Sequence, residues 1–247
     1  MFPLRDENTS LLTPIGTYLI LALNLLSWFL LQGLGSEPSL TKSVCEYGLI
    51  PGELLGRLPV GSQVPMGPQL SCVLGYGESW LTPLSSMFMH GSWVHLIGNL
   101  WFLWVFGNNV EDSMGHVRYV LFYVLCGLAA AFTQTLVNPS SAVPMVGASG
   151  AIGGVMGAYA VLYPRARIET LIVLGLYVRT VPVPAYFMLG YWFLLQILGG
   201  LPTLGGEGAG VAFWAHIGGF AAGAALVLVF RDRELLARHR AAAAALE

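Results

Sequence analysis

Gly147-Ala148-Ser149-Gly150-Ala151-Ile152-Gly153-Gly154 opens an apolar run that continues to Tyr163 without a charged residue. Its small residues suit a helix packed closely against neighbours inside a membrane. Its length is the informative property. A hydrocarbon core about 30 Å thick takes about 20 helical residues to cross, and residues 149–163 supply fewer. Such a helix starts within the bilayer, where non-helical backbone must be buried in protein or line a cavity. The Gly-x-Ser-Gly turn at its head lets the backbone approach another chain closely. A hydroxyl facing an intramembrane cavity is therefore expected at Ser149.

The rest of the chain suits this reading. Of 247 residues, 55% are hydrophobic and 10% are charged, against about a quarter charged in a soluble domain. So few charges do not cover a soluble surface, and mean hydropathy is +0.69. The expected class is all-α, a polytopic membrane protein with one domain. The net charge of −2 and the lack of a dense basic cluster give no reason to expect nucleic acid as a partner. Met1-Phe2-Pro3-Leu4-Arg5-Asp6-Glu7-Asn8 lacks the basic n-region and cleavage site of a secretory signal. The first apolar run is thus expected to stay as a span.

Candidate spans are 15–34, 90–110, 119–137, 149–163, 184–198 and 211–230. The expected organisation is an N-terminal segment over 1–14, a six-helix domain over 15–230 with a long first loop at 35–89, and a tail over 231–247. The stretch 168–178 is apolar but interrupted by charge and followed by Pro182, which suggests an interfacial or half-buried connection. Basic residues favour the cytoplasmic side. With the N-terminus inside, Arg5, Arg118, Arg165, Arg167, Arg179, Arg231, Arg233, Arg238 and Arg240 are all cytoplasmic, and only Lys42 and Arg57 lie outside. Both termini are then cytoplasmic. The first loop carries Cys45 and Cys72, which would pair in an oxidising compartment and otherwise be free thiols. Cys126 falls in the third span, where packing is its expected role.

Polar residues inside spans are costly and tend to be functional. No Asp, Glu, Lys or Arg lies well inside any span. His90, His95, Asn99, Ser149 and His216 do, or lie at an edge; Asn24 stands alone, and helix packing is expected of it. At a rise of about 1.5 Å per residue, Ser149, His216 and His95 each stand roughly 21–22 Å from the cytoplasmic end of their own span. All three spans run from outside to inside in this topology, so three polar groups meet at one depth. Gly150, Gly154 and Gly157 on one helix and Gly219 and Gly223 on another permit close packing, which would bring the His216 imidazole to the Ser149 hydroxyl. A serine is a weak nucleophile until a base takes its proton. With no intramembrane carboxylate to orient the base, a Ser–His dyad is expected instead of a triad. His95 and Asn99 share a helix face and, with the Ser149 amide, suit oxyanion stabilisation. His90 points elsewhere and would shape the loop or the cavity entrance. Glu111 and Asp112 lie far from this level, with capping or pairing to an arginine expected.

These residues resemble the rhomboid family of intramembrane serine proteases over about 90–223. His90-x4-His95-x3-Asn99, Gly147-Ala148-Ser149-Gly150 and Ala215-His216-x-x-Gly219 look like its three motifs, in its order. The N-terminal Pro3-Leu4-Arg5-Asp6-Glu7-Asn8 and Gly107-Asn108-Asn109-Val110-Glu111-Asp112 look like a bacterial branch. The resemblance implies a six-helix core, Ser149 as nucleophile and His216 as base, with oxyanion or substrate contacts from His95, Asn99, Gly147 and His90. It also implies membrane-anchored protein substrates with small residues before the cut, a bacterial plasma membrane location, and neither cofactor nor metal. Many relatives place an aromatic one turn after the nucleophile, stacked on the base; here that position is Gly153, so His216 is expected to be held in another way. The first loop also lacks the Trp-Arg pair of some relatives.

The fifth span, with Pro182 and Pro184 at its start, is the expected lateral gate, and Gly199-Gly200-Leu201-Pro202-Thr203-Leu204-Gly205-Gly206 an expected flexible lid. A non-proteolytic rhomboid-like helix binder is the alternative, although inactive relatives typically lose the serine or histidine kept here. A transporter would show broken helices in repeated halves. Other intramembrane proteases would show His-Glu-x-x-His or an Asp within a span, and the chain has neither.

Overall fold

The structure is a computed structural model and describes residues 1–67, 70–75, 79–175, 177–204 and 210–244. Strand β1 (Phe2–Asp6) leads into α1 (Ile15–Leu30). The first loop folds into α2 (Ser39–Tyr47), α3 (Pro51–Leu54), strands β2 (Gln63–Pro65) and β3 (Ser71–Val73), and α4 (Thr82–Ser85). Then come α5 (Trp93–Asp112), α6 (His116–Val137) and α7 (Ser149–Leu162). Strands β4 (Arg167–Leu174) and β5 (Tyr177–Pro184) precede α8 (Ala185–Gly200), α9 (Phe213–Phe230) and α10 (Arg233–Ala244).

The chain is mostly helical and is an integral membrane protein. By length and apolarity, α6, α9 and the helical stretch Ala185–Thr203 are each able to cross a bilayer, while α1 and α7 are apolar but shorter. Helix α5 is long, yet carries His95, Asn99, Asn108, Asn109, Glu111 and Asp112. Among the described residues, length and apolarity therefore account for three of the six expected crossings. The outward faces are those of a body surrounded by hydrocarbon. Leu30, Val94, Val117 and Val229 are each at least 75% exposed, and soluble proteins rarely expose contiguous apolar surface of this kind.

Helix α7 occupies the centre. Its residues Gly150, Ala151, Ile152, Gly153, Gly154, Val155, Met156, Gly157, Ala158 and Tyr159 are all buried. Helix α9 crosses it at backbone contact: a Cβ on Gly219 would overlap the Gly150 carbonyl, and one on Gly223 the Gly154 carbonyl. Cys126 of α6 packs against Gly154 from another side. Such approach lets helices associate by close van der Waals packing, without a hydrophobic driving force between them.

Among the described residues two small sheets join the helices, which the all-α expectation did not contain. One has the antiparallel order β1-β4-β5, the other pairs β2 with β3. The stretch expected as a half-buried connection is thus a hairpin. Ile168 and Thr170 are fully buried, which is the period of two of a half-covered strand. Pro182 is compatible because β5 is an edge strand. It faces Glu169 in the register, and Ile168 faces Val183.

The first loop is self-packed. Cys45 of α2 and Cys72 of β3 form a disulfide. Leu49 and Met145 exchange backbone hydrogen bonds, and the Gly52 N–H donates to the Ser141 carbonyl. The loop thereby holds the segment that leads into α7.

At the opposite end, Glu111 closes the first turn of α1, Asp112 holds the segment before it, and neither pairs with an arginine among the described contacts. The buried Glu111 carboxylate accepts the Gly16 N–H at 2.7 Å, the Thr17 N–H at 2.8 Å and the Thr17 hydroxyl at 2.8 Å, and lies 2.6 Å from His116 Nδ1. Asp112 accepts the Leu11 and Leu12 N–H groups. Helix starts leave amides without intrahelical partners. Pro14 offers no side-chain cap for α1, so the cap comes from α5.

Candidate active site

Ser149 is the first residue of α7, and Ala148 before it supplies no side-chain cap. Gly147 makes the turn with φ of 126°, a conformation that residues with a Cβ rarely adopt. Its N–H donates to the Ser86 carbonyl at 2.9 Å, so the first loop fixes the turn. As the start of a helix, this turn carries amides without intrahelical partners and the positive end of the helix dipole.

His216 sits in the first turn of α9. Its Nε2 is 2.7 Å from Ser149 Oγ, and its Nδ1 is 2.8 Å from Gln196 Oε1 of α8. The Gln196 amide orientation follows from its other end, where Nε2 donates to the Trp192 carbonyl at 3.2 Å. With Oε1 as the acceptor, the network assigns the proton to His216 Nδ1 and leaves the Nε2 lone pair facing the serine hydroxyl. Trp192 packs against the imidazole, with ring centroids 5.9 Å apart and planes tilted by 38°. A Cβ on Gly153 would lie 3.7 Å from the Trp192 indole. The ring that α7 lacks at Gly153 is thus matched by one from α8. The neighbouring Ala215 N–H donates to Gln134 Oε1 of α6 at 3.2 Å.

His95 and Asn99 reach the same place from α5. Ser92 caps that helix by accepting the His95 N–H. A long contact of 3.4 Å from the Gly91 N–H to His95 Nδ1 leaves Nε2 as the protonated nitrogen. That nitrogen faces Gly147: a Cβ there would lie 2.6 Å from His95 Nε2 and 3.5 Å from Asn99 Nδ2. Asn99 Nδ2 is buried with no hydrogen-bond partner in the protein. His90 is placed differently. It is fully buried, is not at the cavity wall, and stands edge-on to His95 at 5.1 Å. Gln32 clamps its main chain through hydrogen bonds of 2.8 and 2.6 Å. His90 therefore lies behind His95 and not on the cavity lining.

These groups line one cavity of about 620 Å³ between α5, α6, α7, α8 and α9, whose walls include His95, Asn99, Gln134, Ser149, Trp192 and His216. Among the described lining residues none is Asp, Glu, Lys or Arg. A second pocket of about 20 Å³ adjoins Ser149 and is walled by Gly127, Ala130, Gly150, Ala151 and Ala215. The arrangement has the parts for acyl transfer: a hydroxyl, a base within hydrogen-bond reach and convergent donors.

Sequence reasoning did not find Gln196, Trp192 or Gln134. Gln196 met the criterion used for the others, a polar side chain within an apolar helix. Of the glycine-rich lid, Gly205 and Gly206 lie outside the described residues, while Leu201–Thr203 form a short 3-10 turn.

Residues 77–233 match the family model described as the rhomboid domain. Over 217 residues the chain is 29% identical to the rhomboid protease GluP of Bacillus subtilis, covering 87% of this chain and 35% of that protein. RHOMBOID-like protein 4 of Arabidopsis thaliana is 31% identical over 73% of this chain and 41% of its own length. Rhomboid-like protein 11, chloroplastic, of Arabidopsis thaliana is 41% identical over 31% of this chain and 27% of its own length. The alignments therefore span well under half of each of these relatives.

Proposed function

The chain belongs to the rhomboid family, and on that premise we propose that it is an intramembrane serine endopeptidase with Ser149 as nucleophile and His216 as general base. The observation that carries the proposal is the 2.7 Å contact between Ser149 Oγ and His216 Nε2 at the wall of a cavity large enough for a peptide segment. The name of the Bacillus relative, a rhomboid protease, supports the same reading.

In this reading Oγ attacks the scissile carbonyl as Nε2 takes its proton. The developing oxyanion receives hydrogen bonds from Asn99 Nδ2, His95 Nε2 and the Ser149 amide. Gly147 keeps the space between them open. His216 then passes its proton to the leaving amine, and water hydrolyses the acyl-enzyme by the reverse relay. His90 acts behind His95. The substrate is a membrane-anchored protein that enters sideways past α8. A pocket of about 20 Å³ beside Ser149 holds roughly one water-sized group, which suits a methyl side chain before the cut. No cofactor is required by this chemistry. The arrangement in the bilayer is six crossings over 15–230 in a bacterial plasma membrane, with the segments 1–14 and 231–247 cytoplasmic.

The test is cleavage of a single-span substrate in proteoliposomes by the wild type and by Ser149→Ala. Cleavage by the wild type alone is expected. Equal cleavage by both refutes the assignment. A fluorophosphonate probe should label Ser149 in the wild type and fail to label the His216→Ala variant. A non-proteolytic helix binder would retain the substrate uncut in both.

A further inference from the structure

We infer that Gln196 is the positioning residue for His216, so that the base is oriented only while α8 is packed against α9. The inference rests on the reading of Ser149 and His216 as the reacting pair.

The imidazole has two nitrogens, and each is accounted for. Nε2 faces Ser149, and Nδ1 faces Gln196 Oε1 at 2.8 Å. A base that rotates about its side-chain bonds presents the wrong nitrogen or none, and in serine proteases a carboxylate prevents this. Here a neutral carboxamide occupies that place. Its orientation is not free, because Nε2 is committed to the Trp192 carbonyl. Gln196 is 8% exposed on a helix otherwise built of Ala, Tyr, Phe, Met, Leu, Gly, Trp and Ile. A buried amide in such surroundings is costly unless its hydrogen bonds are made. A neutral partner also avoids leaving a charge at this depth when the base is neutral.

Both groups that hold the imidazole from this side come from α8. Trp192 and Gln196 are four residues apart and share one face. The helix is tethered at its start, where the Ala185 N–H donates to the Ala166 carbonyl and the Tyr186 N–H to the Pro164 carbonyl, each at 2.9 Å. Its outer face, with Tyr186, Phe187, Tyr191, Leu194 and Leu198, is exposed and suited to lipid. Gln196 is eleven residues beyond Ala185, about 16 Å along the axis at the helical rise. A tilt of roughly 10° about the tethered end moves it about 3 Å by the same geometry, enough to break the bond to Nδ1. Opening of α8 to admit a substrate would therefore release the base, and closure on the bound segment would set it again.

The test uses full-length protein in detergent or proteoliposomes with Gln196→Met and Gln196→Glu. Methionine keeps the length and apolar stem but has no strong acceptor. Its kcat should fall at least tenfold with KM within about twofold. Glutamate restores an acceptor, should recover most of that loss, and should move the acid limb of the kcat profile to higher pH, because a carboxylate favours the imidazolium. Protein labelled with nitrogen-15 histidine reports the Nδ1 proton of His216 by NMR without any turnover. That signal should be protected from exchange in the wild type and Gln196→Glu, and lost in Gln196→Met. A Gln196→Met variant with wild-type kcat, acid limb and Nδ1 signal overturns the inference. If the wild type and Ser149→Ala cut equally, the proposed function fails, and the Nδ1 signal still decides whether Gln196 orients His216.

Discussion

Asn99→Ala should slow cleavage by roughly 10²–10³-fold in kcat, the usual cost of removing one oxyanion donor, and leave the fold about as stable as the wild type. The structure separates these two effects. Asn99 Nδ2 makes no hydrogen bond in the protein, and the residue lines the 620 Å³ cavity. Truncation therefore removes no internal hydrogen bond at that atom and enlarges an existing space, without opening a sealed void in a packed core. A stability change of about 1 kcal/mol or less is expected, or roughly 2–4 °C in Tm for a chain of this size. In the proposed transition state the same atom would donate a hydrogen bond to the developing oxyanion. A loss of 10²–10³ corresponds to about 2.7–4 kcal/mol at 1.36 kcal/mol per decade. Asn99→Asp keeps the shape but turns a donor into an acceptor, and should be at least as slow as alanine. The assay is steady-state cleavage of a fluorogenic single-span substrate, with thermal unfolding followed by tryptophan fluorescence on the same preparation. A kcat within threefold of wild type would remove Asn99 from the oxyanion site. A large loss of kcat matched by a comparable loss of Tm would mean that the residue is structural.

Two further outcomes concern the cytoplasmic end in the proposed topology. Glu111→Ala removes the acceptor for the Gly16 and Thr17 amides and the Thr17 hydroxyl, and should lower stability by roughly 3 kcal/mol, at about 1–3 kcal/mol for each buried donor left unpaired. A Tm unchanged within error would show that α1 caps itself by other means. Burial pushes the Asp6 carboxyl up from 3.8 to about 7, against the lowering effect of the hydrogen bond of 2.7 Å that the Tyr159 hydroxyl donates to it. The folded chain then holds a proton that the unfolded chain releases as pH rises from about 4 to 7, so stability should fall across that window. Asp6→Asn cannot titrate and should flatten the fall; identical pH dependence of Tm in the two proteins would refute the assignment.

The extent to which the sequence was legible differs by element. The starts of α1 and α7 and the ends of α6 and α9 coincide with the expected apolar runs, because exclusion of charge from hydrocarbon is written residue by residue. Helix α5 begins three residues after the expected start at His90 because Ser92 caps it, which moves His90 off the helix and behind His95. The hairpin of β4 and β5 escaped because its buried period of two is short and carries charges and a proline, which only the edge position in a sheet makes tolerable.

By itself, the sequence determined a membrane-embedded helical body, the short helix headed by Ser149, and a set of polar residues whose depths, counted from the helical rise, agree. Depth follows from rise per residue, a one-dimensional quantity, and so it can be counted. Only the tertiary structure decided what holds His216. The rotation of α8 about its own axis turns Gln196 and Trp192 towards the imidazole and leaves Leu194 and Leu198 facing outward. That rotation is set by packing against α9, and no local pattern in an almost uniformly apolar helix records it.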